Sequence, residues 1–182
     1  MRGISLYRNI LCMTAVVMAL FMGTALAAPR AMTVDDAVIA GIAPGSALSY
    51  VRSIYGEPDG EKTKRTGNYP TQLVDYYGEG FVITYDIFGG AQNPLIQSIE
   101  STNAALVMPS GIHVGMKIAE VQQIFSDIQE PFRRDEKNNQ YTSPRFYVEV
   151  SDEKKGIRTV VFDVDKKGVI QKIFIYDRYG ID

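Results

Sequence analysis

A chain of 182 residues with 46% hydrophobic and 22% charged residues, and a formal charge of −2, has the balance of an ordinary folded protein of one domain or two small ones. That balance excludes a disordered, collagen-like or multi-span membrane chain, and its weak acidity argues against nucleic acid as a partner. One cysteine and one histidine leave little material for thiol, metal or imidazole chemistry.

The first element in chain order is an address. Arg2 and Arg8 precede a 13-residue apolar run, Ile10 to Met22, and Ala25-Leu26-Ala27 places small residues before Ala28. Positive start, short apolar stretch and small-residue site are the three parts of a secretory signal, so cleavage is expected after Ala27, with an uncleaved anchor as the alternative. Removal of 27 residues, two of them arginines and none acidic, leaves 155 with a formal charge of −4. The only cysteine, Cys12, goes with them, which excludes disulfides, thiolate metal sites and cysteine nucleophiles from the mature chain. The expected location is the periplasm or the cell exterior, with membrane contact only through a partner or an uncleaved signal.

Residues 28–36 form a lead-in segment. Thr33 followed by Asp35 and Asp36 suits a helix start, and Val34, Val38 and Ile39 suit a short strand; helix is favoured over 33–40. Beyond it the chain is written twice. Displaced by 70 positions, Gly41-Ile42 falls on Gly111-Ile112, Gly45 on Gly115, Val51 on Val121 and Ile54 on Ile124. Ile96-Gln97-Ser98-Ile99 falls on Ile170-Gln171-Lys172-Ile173 at a slightly longer displacement. The units are 37–107 and 108–182.

Within the first unit, Ser46 is a candidate N-cap, and Leu48, Val51, Ile54 and Tyr55 recur at helical spacing until Gly56 and Pro58 stop the helix. Residues 59–70 read as a polar loop. Strands follow at Leu73–Tyr77, Phe81–Ile87 and Leu95–Glu100. In the second unit Ile118, Val121, Ile124 and Phe125 repeat the helical stripe, a polar loop covers 133–144, and strands follow at Arg145–Val150, Ile157–Val164 and Val169–Tyr176. The expected fold is α+β: two tandem repeats, each a helix or helix pair packed on a three- to four-stranded antiparallel sheet.

The turn motifs carry a resemblance. Gly41-Ile42-Ala43-Pro44-Gly45 with Val51 and Tyr55-Gly56-Glu57-Pro58, and Gly111-Ile112-His113-Val114-Gly115 with Val121, resemble the repeat of small outer-membrane lipoproteins of the SmpA/OmlA (BamE) type and of the beta-lactamase inhibitory protein. The resemblance implies helices on one face of an antiparallel sheet and a non-enzymatic role in presenting a surface to another protein. It departs from the lipoproteins in having no mature N-terminal cysteine, and from the inhibitor in having no disulfide.

No catalytic residue, metal site or cofactor site is expected. His113 lies in a turn without a second ligand, and neither a Gly-x-Ser-x-Gly elbow nor a phosphate loop occurs. Asp163-Val164-Asp165-Lys166-Lys167-Gly168 fails the calcium-loop pattern, because the fifth and twelfth positions are Lys167 and Phe174. Asp75, Asp86 and Glu149 lie on expected strands, where exposed acids are the ordinary reading.

One constellation stands out. Strand alternation in the second unit puts Phe146, Val148, Val150, Val160, Phe162, Val164, Val169, Ile173 and Ile175 on a core face. The other face then carries Arg145, Tyr147, Glu149, Thr159, Val161, Lys172, Phe174 and Tyr176, a mixture of aromatics and both charges typical of recognition surfaces. Of these, Tyr147, Glu149, Val161, Lys172, Phe174 and Tyr176 are the candidate binding residues. Either the protein covers that face itself, or it binds a protein or peptide of the envelope or exterior there. An envelope-assembly factor, or a hydrolase working with carboxylates alone, are the alternative functions.

Overall fold

A computed structural model describes residues 28–65, 71–87, 92–129, 145–153 and 156–178. The expected secretion signal and the 133–144 loop lie outside the described residues. In chain order the elements are α1 (Leu48–Tyr55), β1 (Gly60–Lys64), β2 (Thr71–Tyr77), β3 (Phe81–Ile87), β4 (Leu95–Ser101), α2 (Ile118–Ile124), β5 (Arg145–Asp152), β6 (Gly156–Val164) and β7 (Ile170–Arg178).

These strands make one antiparallel sheet in the order β1-β2-β3-β4-β7-β6-β5. The expected pair of helix-plus-sheet repeats is therefore not the architecture. The meanders β2-β3-β4 and β5-β6-β7 join through their last strands, with Ile99 opposite Ile175 and Ser101 opposite Ile173. Left separate, β4 and β7 would each expose an edge of unpaired N–H and C=O groups; pairing removes both edges at once.

The helices are too small to roof separate sheets. Eight helical residues span about 12 Å, whereas seven strands span roughly 29 Å. Val51 and Val121 are fully buried against the sheet, but Ile54, expected in the apolar stripe, is 46% exposed. Irregular chain covers the rest of the core face, with Ile39, Ile42, Met108 and Ile112 buried beside Ile83, Ile99, Phe162 and Ile175. Among the described residues, no helix is long and apolar enough to cross a membrane.

Local expectations changed in four places. The lead-in forms no helix: Asp36 caps a turn through the N–H and hydroxyl of Thr33, and Ile39 and Ile42 bridge across Ala40-Gly41, both at positive φ. Ser46 does not cap α1, whose N-cap is Ala47; its Oγ accepts the Ala43 N–H instead. The supposed loop 59–70 contains β1, an edge strand of sequence Gly-Glu-Lys-Thr-Lys that carries no apolar residue to announce it. A register shift beside Asp163 and Val164 puts Ile170, rather than Val169, in the core.

Both halves dock their turns onto the sheet with the same backbone bonds. The N–H of Gly45 donates to the Ile96 carbonyl at 2.7 Å, and that of Gly115 to the Ile170 carbonyl at 2.8 Å. Ile96 and Ile170 donate in return to Ser46 and Met116, and Leu48 and Ile118 donate to Pro94 and Gly168. Gly45 and Gly115 take φ of 84° and 101°, a region in which a side chain meets its own backbone. Gly41 and Gly111 stand at the same φ of 85° in the preceding turns, and Gly56 closes α1 by donating to Arg52 with Pro58 beyond it.

Candidate functional site

The helices, the lead-in and the 102–117 connection all pack on one face of the sheet. On the other face, β5, β6, β7 and β4 bound a groove of about 670 Å³. The six residues singled out from strand alternation all line it: Tyr147, Glu149, Val161, Lys172, Phe174 and Tyr176. Register explains why. Tyr147 lies opposite Val161, Val161 opposite Phe174 and Phe174 opposite Glu100; one row along, Glu149, Thr159, Tyr176 and Ser98 align in the same way.

The Phe174 and Tyr176 rings lie 5.1 Å apart at a 31° tilt, forming a continuous aromatic strip along β7. At one end of the groove is a chain of opposite charges. Arg145 Nε lies 2.7 Å from Asp163 Oδ1, and Lys172 Nζ lies 3.5 Å from Asp163 Oδ2 and 3.3 Å from Glu100 Oε2. Thr159 is only 3% exposed, and its hydroxyl has no hydrogen-bond partner among the described residues.

Alternation could have added Asp163, which shares the face of Thr159 and Val161. Glu100 was not foreseeable in the same way, because nothing in the sequence announces that β4 pairs with β7.

The acids noted on strands do not form a site together. Glu149 lines the groove, and Asp86 accepts a bond from Gln72 Nε2 at 3.1 Å. Asp75 is fully buried on the core face beneath α1, where Arg52 Nη2 reaches Asp75 Oδ2 and Glu61 Oε2, each at 3.1 Å, and Arg52 Nη1 pairs with Glu57. Burial pushes the Asp75 carboxyl above its ordinary range against the pull of Arg52, and burial beside Asp75 also raises the Tyr85 hydroxyl.

His113 turns back on its own loop, with Nδ1 3.0 Å from the Gly111 carbonyl. Asp165 Oδ1 accepts the N–H groups of Lys167 and Val169, and these bonds lower its pKa; they make it a hairpin residue. Among the described residues, no group of three His, Cys, Asp or Glu side chains could hold a metal ion.

Comparison with known protein families, characterised proteins and solved structures finds no match to this chain. The features that bear on its role are thus the sheet and the groove on the face away from the described helices.

Proposed function

We propose that the protein is an exported, non-catalytic binding module that engages a protein or peptide of the cell envelope or exterior. The open sheet face and the loops beside it are the binding surface. One observation carries this reading: three aromatic side chains and a network of both charges meet in a single groove on the face that the described helices leave bare. Aromatic anchors beside polar groups are the composition on which binding energy concentrates. The N-terminal segment supports export. Within this reading, the partner belonging to an outer-membrane assembly is the narrower form, favoured by co-purification with outer-membrane complexes.

The test is a pull-down from envelope extract with the purified protein and its Tyr147→Ala/Phe174→Ala variant, both verified as folded by thermal melts. A partner retained by the wild type and lost by the variant is expected. Identical profiles from the two would remove the sheet face from the function.

A carboxylate-dependent hydrolase is the second reading, because Glu100 and Asp163 share Lys172 within the groove. It requires turnover of a glycoside that is abolished by Glu100→Gln or Asp163→Asn. Turnover unaffected by either change would exclude these acids.

A further inference from the structure

The groove owes its shape to side-chain size. β6 is the middle of three strands and offers Thr159, Val161 and Asp163 to the open face, while β5 and β7 flank it with longer side chains such as Tyr147 and Phe174. Short residues between long ones make a trough whose axis is β6. From Thr159 to Asp163 it runs about 13 Å, and its walls rise from backbones about 9–10 Å apart. An α-helix with its side chains is about 10–12 Å across, so the walls exclude a helix from the trough. A single extended chain fits between them.

Charge narrows the occupant further. Arg145 and Lys172 both engage Asp163, and Lys172 also engages Glu100. A charged side chain entering here must displace one of these pairs and desolvate itself. An uncharged polar group can accept from Lys172 while donating to a carboxylate, and leaves the chain of pairs intact. At the other end Thr159 is only 3% exposed, so the trough closes there. Between the two ends, Val161 lies opposite Tyr147 on one side and Phe174 on the other, an apolar seat.

We propose that the trough along β6 receives an extended, uncharged segment of a protein partner. An apolar side chain of that segment sits over Val161, and a hydroxyl or amide two residues away meets the Lys172–Asp163 pair. The match in spacing is intrinsic, because alternate side chains of any extended chain share one face with the period of β6 itself. The inference rests on the docking function proposed above and specifies its partner.

The experiment is selection of phage-displayed random dodecapeptides on the wild-type protein. Binding is then measured to Val161→Trp, which fills the trough, and to Tyr147→Ala/Phe174→Ala, with thermal melts confirming that both variants are folded. Face-dependent peptides are expected to bind Val161→Trp at least about tenfold more weakly. They should carry an apolar residue two positions from Ser, Thr, Asn or Gln, and change affinity less than about twofold between 50 and 500 mM NaCl. Face-dependent peptides that are charged and strongly salt-sensitive, or whose anchors recur at helical spacing, overturn the extended uncharged segment and leave docking on this face standing. Absence of any face-dependent peptide overturns both readings. If a neutral hexasaccharide such as cellohexaose instead shifts the Tyr147 and Phe174 resonances, the occupant is a glycan and the peptide proposal falls.

Discussion

Arg30 grips Asp36 with both arms of its guanidinium, at 2.6 and 2.7 Å, and Thr33 adds its N–H and hydroxyl. These bonds, led by that of Arg30, hold the Asp36 carboxyl down at about 2, against 3.8 in its ordinary state. A group depressed in the folded state contributes stability above its unfolded pKa and loses that contribution as pH falls through the folded one. Asp36→Asn should therefore cost about 1–2 kcal/mol at pH 7, discounted because Arg30 is half exposed, and the deficit should close between pH 3.8 and 2 in urea denaturation. Asp75 has the opposite sign: its carboxyl is raised, so its contribution grows as pH falls through the range just above the ordinary carboxylate value. Arg158 presents a different case, because it is 8% exposed and ties three separate pieces of chain together. It reaches Asp177 at 3.1 Å, the Val34 carbonyl at 3.2 Å and the Pro44 carbonyl at 2.7 Å. Arg158→Ala should destabilise by about 2–4 kcal/mol in chemical denaturation, mostly by leaving Asp177 and two carbonyls without their donor.

At the scale of elements, the turns that begin each half depend on left-handed glycines. Gly45→Ala and Gly115→Ala should each cost about 1–2 kcal/mol by thermal unfolding, since both positions have positive φ and the carbonyls of Ile96 and Ile170 fix the turns in place. How far such elements can be read from the chain depends on what holds them. Phe81–Ile87 is legible because its side chains alternate against a core. The edge strand Gly60–Lys64 is not, because it is held by backbone bonds to β2 and its charged exterior carries no apolar period. Residues 33–40 invited a helix through their caps, yet Val34, Ala37, Ile39 and Ile42 are buried by turning the chain repeatedly against the sheet. The groove was half legible for the same reason. Alternation brought Tyr147, Val161 and Phe174 to one face, whereas Glu100 arrives through a strand pairing that no local pattern encodes.

Taken whole, the molecule is joined along the β4–β7 seam. Ile99 and Ile175, opposite one another there, are both fully buried. Ile175→Ala should cost about 2–4 kcal/mol. Amide exchange should then rise in β3 and β4 as well as in β6 and β7, with one unfolding transition throughout. Loss of protection confined to β5, β6 and β7 would mean that the two meanders are independent after all. The groove inherits its position from this seam, because Glu100 reaches Lys172 only through the pairing of β4 with β7.

The seam also sets an order of events during biogenesis. β7 is the last strand among the described residues, but it lies inside the sheet between β4 and β6. A chain emerging from its N-terminus thus presents β1 to β4 with one unpaired backbone edge, and must wait for Ile170–Arg178 before that edge is sealed. Translation stalled between β4 and β7 leaves a half-sheet with a free edge. The interval between the arrival of β4 and that of β7 is when the half-formed sheet is most exposed to association through that edge.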